Sequence, residues 1–183
     1  MELAEINKRI DEIDGWFSYS QQAALYEIVK GLRPRSLIME IGTYRGKSTL
    51  FYTLANPEVI VITNDICNYP WTTKLDPAGF ELKNKPIDER VLHAGNVMQI
   101  IGRSSEIVKT WNLPIDFLFI DGKHSYDEVK QDINDWGKFV VKGGYIVFHD
   151  YDVAHQEVMD GCADYIKDLE IIEINFNLGI FRK

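Results

Sequence analysis

Cysteine is scarce in this chain. Cys67 and Cys162 are the two among 183 residues, too far apart for a C-x-x-C pair, so neither a zinc site of that kind nor a disulfide framework is implied. No apolar run approaches the ~20 residues that cross a bilayer. Glu2 and Glu5 occupy the place where a secretion signal carries positive charge. The expectation from these absences is a compact cytoplasmic protein with two reduced thiols and no membrane partner. Basic residues are outnumbered, 20 Lys and Arg against 28 Asp and Glu, for a net charge of -8. That balance argues against a nucleic-acid partner, which needs a basic face. There is no repeat of fixed period and no low-complexity tract. The length suits one domain, residues 1–183, with a proper core, and the 45% hydrophobic share is ordinary for a globular protein.

What is present is organised around residues 36 to 48, Ser-Leu-Ile-Met-Glu-Ile-Gly-Thr-Tyr-Arg-Gly-Lys-Ser. The apolar Leu37, Ile38, Met39 and Ile41 read as a buried parallel strand carrying Glu40 near its end. Glycines at Gly42 and Gly46 make a turn, and Ser48 to Leu54 leave it as a helix. Strand, glycine turn and helix bring bare backbone and a helix N-terminus against a nucleotide-like ligand. Gly42-x-x-x-Gly46-Lys47-Ser48 is one residue short of a phosphate-binding loop, and the dinucleotide pattern G-x-G-x-x-G is absent.

Before the turn, Leu3, Ile6, Ile10 and Ile13 recur at helical spacing, predicting an amphipathic helix over residues 2 to 13. A second helix is expected from about Ser20 to Val29, ended by Gly31 and Pro34. This helical cap, residues 1–34, either lies across the ligand end of a sheet or fills the core with its aromatics. After the turn, Val59 to Asp65 is a second strand ending in an acid, placed to accept a ribose diol or to form an ordinary turn. Residues 66 to 90 hold Pro70, Pro77, Gly79 and Pro86 and read as a candidate substrate loop or a surface excursion.

Val91 to Asn96 is expected as a short third strand, followed by a helix to about Trp111. Asn96 would face an adenine edge or cap that helix, and His93 would be packed. Ile115 to Gly122 is a central strand ending at Asp121. Ser125-x-x-Glu128 predicts a capping box opening a helix whose inward face is Val129, Ile133, Trp136 and Val140. Tyr145 to Asp150 is a fifth strand, Ala154 to Asp168 a helix, and Glu170 to Arg182 a hairpin turned at Asn177-Leu178-Gly179. The pattern predicts an α/β, Rossmann-like doubly wound fold: a mostly parallel seven-stranded sheet, an antiparallel C-terminal hairpin and helices on both faces.

Parallel strands point their C-terminal ends at one edge of such a sheet. Glu40, Asp65, Asn96, Asp121 with His124, and His149 with Asp150 are all expected there. From about Gly15 to the end, the chain resembles small class I S-adenosylmethionine-dependent methyltransferases. The resemblance rests on Glu40-x-Gly42-x-x-x-Gly46, on Ile120-Asp121-Gly122-Lys123-His124-Ser125-Tyr126, and on Gly143-Gly144-Tyr145-Ile146-Val147-Phe148-His149-Asp150. It implies that Glu40 and the turn residues Gly42, Thr43, Tyr44, Gly46 and Ser48 hold the methionine part of the cofactor. It likewise gives the ribose to Asp65 and the adenine to Asn96, with Asp121 at the cofactor as well.

An aliphatic hydroxyl is a poor nucleophile, so methyl transfer to oxygen needs a base, a metal, or both. Related sugar O-methyltransferases place an Asp on metal and a His three residues later as base, a spacing that Asp121 and His124 match. The catalytic candidates are then His124, Asp121 and His149, and the metal ligands Asp121, His149 and Asp150, with Asp152 nearby; the metal-dependent relatives carry a pair of acids at the end of the fifth strand, and this chain departs from them there with His149 before Asp150. Magnesium prefers oxygen, and an imidazole at residue 149 suits manganese, iron or zinc better. Against these roles stand His124 as a helix-start residue tied to backbone and His149 as a ring oriented by a neighbouring carboxylate.

The leading expectation is an O-methyltransferase for a small hydroxylated substrate such as a sugar or natural-product intermediate, with S-adenosylmethionine and Mg2+ or Mn2+. A non-catalytic cofactor-binding partner domain and an NTPase using Lys47 are the alternatives. Trp16, Phe17, Trp71 and the first helix are placed either to pair two copies or to close over the substrate.

Overall fold

The computed structural model describes residues 1–67 and 87–183. Most of the candidate substrate loop, and Trp71 with it, lies outside the described residues. Among these residues seven strands form one sheet: β1 (Leu37–Ile41), β2 (Ile60–Asp65), β3 (Val97–Ile101), β4 (Ile115–Ile120), β5 (Val140–His149), β6 (Glu170–Asn175) and β7 (Leu178–Arg182). Their order is β3-β2-β1-β4-β5-β7-β6. The first five are parallel, and β7 runs antiparallel between β5 and β6. This is the doubly wound mixed sheet that the alternation of apolar runs predicts. Strand order reverses outward from β1, so β1 and β4 flank the crevice where such sheets bind ligands.

The central strands are buried on both faces, as a parallel sheet under two helix layers requires. On one face α1 (Leu3–Ile10), α2 (Tyr19–Lys30) and α3 (Lys47–Ala55) cover Ile38, Val61, Phe117, Phe119 and Val147. On the other, α6 (Tyr126–Trp136) and α7 (Gln156–Ile166) cover Met39, Ile41, Leu118, Ile146 and Phe148. The N-terminal segment plays both roles open to it. Ile6, Ile10, Ile13 and Phe17 enter the core, while Asp14 to Gln21 reach the ligand end of the sheet.

Three sequence expectations are corrected. The first concerns the third strand. Glu89–Leu92 is a short helix, α4, and β3 begins at Val97, where a helix was expected. Val91 belongs to a helix turn packed beneath the glycine turn rather than to a sheet. Asn96 therefore precedes its strand and stands at the sheet edge opposite the ligand end. Its amide donates to Val59 O at 3.0 Å, which removes it from any adenine role.

The second is the capping box, which does not form at Ser125. Glu128 pairs with Lys123 at 3.2 Å, and Glu157 takes the Tyr126 N–H at 3.1 Å. A box forms instead at Ser18 and Gln21, starting α2 earlier than expected. The third is the hairpin turn, which lies at Phe176 and Asn177, both with positive φ, so Leu178 and Gly179 already belong to β7.

Candidate active site

The ends of β1, β4 and β5, with the N-terminal segment, enclose a cavity of about 1060 Å³. Asp121, His124, His149 and Asp150 line it on one side, and Thr43, Tyr44, Arg45, Lys47 and Ser48 on the other. At Gly42 the turn passes so close to β4 that an added Cβ would stand 1.9 Å from Asp121 O. This contact sets the distance between the glycine turn and the acid.

The expected site residues divide into those that face the cavity and those that build its wall. Glu40 is fully buried beneath the turn. Its carboxylate accepts from Ser48 Oγ at 2.6 Å, from Thr63 Oγ1 at 2.5 Å and from Thr49 Oγ1. Glu40 thus holds the turn to α3 and β2, which corrects the direct cofactor contact expected of it. Burial raises it to about 7, against the lowering effect of Ser48, Thr49 and Thr63.

A carboxyl raised on folding stabilises most below its unfolded pKa, near 4.5. The contribution disappears as pH rises through about 7. Glu40→Gln is therefore expected to flatten stability against pH between about 4.5 and 7 relative to wild type, a difference on the order of 3 kcal/mol. Denaturant unfolding of both proteins across that window checks it, and parallel curves would contradict a buried Glu40.

Asp65 closes β2 as expected, but its Oδ2 accepts the N–H groups of Thr43 (2.9 Å) and Tyr44 (2.8 Å), and its Oδ1 that of Cys67 (2.7 Å). It clasps the glycine turn from below, and a ribose diol would share these oxygens. Thr43 also links to Thr63 through its hydroxyl. Tyr44 sits at φ 46°, with its ring 5.5 Å from Trp16. Gly46, at φ +81°, caps α3 and lies over Ile87 and Val91.

Charge concentrates at the ends of β4 and β5. His124 Nε2 lies 3.1 Å from Asp150 Oδ2 and 3.7 Å from Asp121 Oδ1. Its proton affinity is raised by the neighbouring carboxylates, Asp121 foremost and then Asp150. His149 is buried, with Nδ1 3.2 Å from Asp121 Oδ1 and 3.1 Å from Asp150 Oδ2. Burial disfavours a charge on this ring, but Asp121 and Asp150 outweigh it and raise the group to about 10. Burial also works against ionisation of Asp150, yet His149, His124 and His155 hold it below the usual carboxylate range.

The other His149 nitrogen, Nε2, meets Gln21 Nε2 at 3.0 Å. Gln21 Oε1 is taken by the Ser18 N–H in the capping box, so the amide nitrogen is the end turned to the ring. An Nε2 accepting from Gln21 leaves the proton on Nδ1; a charged ring carries one there too, and then needs the Gln21 amide reversed so that its oxygen accepts from Nε2. In both cases Nδ1 carries a proton in ion-pair contact with the acids, 3.2 and 3.1 Å away, without hydrogen-bond alignment to either. With a proton on Nδ1, His149 is not the metal ligand expected of it; it lines the cavity beside Asp121 and Asp150 and orients them, as an outer-shell histidine does.

Asp121, His124 and Asp150 each offer one ligand atom, all within 4.8 Å of one another. Two carboxylates and one imidazole fit a divalent transition ion such as Mn2+ better than an all-oxygen magnesium site. Three residues that sequence reasoning did not single out complete the picture. Gln21 and Arg45 gave no signal. His155 did: Asp152-x-x-His155 repeats the spacing of Asp121-x-x-His124. Its Nδ1 is held by Asp152 Oδ1 at 3.0 Å, and its ring lies 5.7 Å from that of His124.

A family model described as a methyltransferase domain matches residues 39–151. An uncharacterised protein of Acanthamoeba polyphaga mimivirus, R132, is 37% identical over 120 residues, covering 62% of this chain. The chain spans about half the length of that curated relative.

Solved structures share the fold at low identity. A Staphylococcus aureus protein assigned as a caffeoyl-CoA O-methyltransferase superposes with a TM-score of 0.68, at 14% identity, covering 100% of this chain and 92% of that one. Rv0187 from MTB, solved with its cofactor, gives 0.67 at 18% identity, covering 98% and 88%. MycE of the mycinamycin biosynthetic pathway, solved with Mg, SAH and mycinamycin VI, gives 0.66 at 16% identity, covering 100% and 54%. Among the described residues no helix is long and apolar enough to cross a membrane. The family match covers the glycine turn, the Asp121 and His124 pair and the His149 and Asp150 pair, and the chain belongs to the methyltransferase-domain family.

Proposed function

We propose that the protein transfers a methyl group from S-adenosylmethionine to a hydroxyl oxygen of a small acceptor, with a divalent metal at Asp121, His124 and Asp150. The observation that carries this reading is the convergence of those three side chains with His149 at one end of a cavity whose other end is the glycine turn. A site that only bound the cofactor has no use for two histidines packed on two acids. The O-methyltransferase neighbours and the magnesium-containing MycE complex support the choice of oxygen and of a metal.

In this reading the glycine turn, held from below by Glu40 and Asp65, positions the methyl donor. When bound, the divalent ion supplies Lewis acidity that makes an acceptor hydroxyl easier to ionise. His149 and Gln21 keep the two carboxylates aimed at the ion. His124, with its proton affinity raised by Asp121 and Asp150, is the more exposed of the two rings beside the acids and would be the one to take the hydroxyl proton. The 1060 Å³ cavity has room for a small acceptor beside a nucleoside.

The test is calorimetric titration with S-adenosylhomocysteine, with and without Mn2+ or Mg2+, and with ATP as control. Labelled methyl transfer to a panel of sugars and phenols follows. Homocysteine-product binding that strengthens with Mn2+ is expected, together with transfer to oxygen. Binding of ATP alone would overturn the proposal and restore the short glycine loop as a phosphate cradle.

A further inference from the structure

A second, smaller concavity of about 300 Å³ lies at the opposite end of the sheet, where β1, β4 and β5 begin and β7 finishes. Asp116, in its wall, is roughly 16 Å from Asp121 along β4. The pocket owes its shape to a break in register. Ile115 pairs with Val140 but Phe117 with Tyr145, so β5 bulges outward over residues 141–144. Gly143 takes φ +82° there, and Gly144 passes so close to β4 that an added Cβ would stand 2.9 Å from Asp116 O. Lys142 is left exposed at the pocket.

Three cations line this concavity: Arg33 before β1, Lys142 in the bulge and Arg182 at the end of β7. One acid, Asp116, faces them, and it is already committed. Its Oδ2 accepts the Leu37 N–H at 2.9 Å, and its Oδ1 lies 3.7 Å from Arg33. Glu170 stands opposite Arg182 across β6 and β7, yet among the described residues neither Lys142 nor Arg182 has an acid within pairing distance. Gathering like charges costs free energy by Coulomb repulsion, and this chain, with a net charge of -8, does so at a point where one engaged carboxylate offsets three cations.

Arg182 is also held in place. Its Nε donates to Gly143 O at 3.2 Å, and its guanidinium carbon lies 5.7 Å from the centroid of the Tyr145 ring. Its two Nη groups bond no acceptor among the described residues. What remains is a fixed planar fork of the kind that pairs with phosphate oxygens.

We propose that this pocket is an anion site, separate from the candidate active site, for a small molecule bearing phosphate. Arg182 presents its Nη fork to the phosphate oxygens, while Lys142 and Arg33 add charge from β5 and from the connection between α2 and β1. The bound anion ties together three segments that meet at this edge of the sheet. A volume of 300 Å³ has room for a diphosphate or a phosphorylated sugar.

Calorimetry at low ionic strength, with inorganic pyrophosphate and ribose 5-phosphate as probes, tests the site. Wild type is expected to bind one equivalent and to melt at a higher temperature when loaded. Arg182→Gln should weaken binding about 10- to 100-fold, with Arg182→Lys and Lys142→Gln each losing less. In NMR spectra the amide signals of Gly143 and Gly144 should move during the titration. Lys47→Gln, at the glycine turn, should bind as wild type does, and saturating S-adenosylhomocysteine should not compete. The tighter probe tells whether the phosphate arrives free or on a sugar, and either order supports the site.

Absence of saturable binding by both probes would overturn the proposal. So would binding that Lys47→Gln weakens as much as Arg182→Gln does, or that S-adenosylhomocysteine displaces, because the phosphate would then sit at the glycine turn.

Discussion

Replacing Gly42 with alanine is expected to leave little folded protein. The new Cβ would lie 1.9 Å from Asp121 O and 2.5 Å from its carbonyl carbon, on a backbone with φ +93°. Neither side can yield easily. Gly42 N–H donates to Asn64 O at 2.8 Å, and Asp121 N–H donates to Ile41 O at 2.8 Å. Between them these bonds fasten the ends of β2, β1 and β4, the centre of the sheet.

A clash of backbone against backbone with a forced positive φ belongs with the severest single substitutions, at least about 4 kcal/mol. For a chain of this size that lowers the melting temperature by roughly 10 °C or more. Gly46→Ala, also at positive φ, is the internal comparison. Its Cβ would meet the side-chain ends of Val91 and Ile87 at 2.8 and 3.0 Å, atoms able to shift. Thermal unfolding should rank wild type above Gly46→Ala and Gly46→Ala above Gly42→Ala. A Gly42→Ala protein melting like wild type would mean that the turn and the acid do not approach as described.

The importance of that turn was legible from the sequence because glycines are read from backbone need rather than from partners. The same holds for β1, β2, β4 and β5, whose apolar runs are long enough and clearly bounded by acids or glycines. The segment from Val91 to Ile101 shows where such reading fails. A short apolar run does not distinguish a helix turn from a strand. Val91 is buried because it packs under Gly46, whereas β3 lies at the sheet edge with Met98 and Ile101 exposed. The apolar signal was therefore strongest just before the true strand. Shifting that strand carried Asn96 from one edge of the sheet to the other.

The site was legible as a set of addresses but not as a set of partners. Glu40 and Asp65 lie where strand-end acids were expected, yet their oxygens are bound by hydroxyls and backbone amides of the turn itself. Sequence gives the position of a carboxylate along a strand; which donors reach it depends on the loops that pack around it. Gln21 is the extreme case. It contacts His149 across 128 residues of chain, and its orientation comes from a capping box at the start of α2. No local pattern announces such a contact.

Asp150→Asn is the change expected to do most damage to the chemistry while keeping the shape. One Asp150 oxygen lies 3.1 Å from both His124 Nε2 and His149 Nδ1, and the carboxylate also belongs to the candidate metal triad. Losing its charge should weaken Mn2+ binding by about 100-fold or more, beyond the range seen for outer-shell groups. If the proposed reaction holds, methyl transfer should fall by a similar factor.

Stability supplies a readout independent of both. With a chelator present, loss of a partner to a buried ring should cost ~3 kcal/mol, the low end for a broken buried pair. His149 is raised by folding, to about 10. Its contribution is therefore complete below the unfolded value near 6.5 and is lost as pH rises toward 10. The gap between wild type and Asp150→Asn should be widest below pH 6.5 and should narrow above it. A gap that stays constant with pH would show that His149 is uncharged in the folded protein, leaving Gln21 and the Nδ1 proton alone to orient the acids.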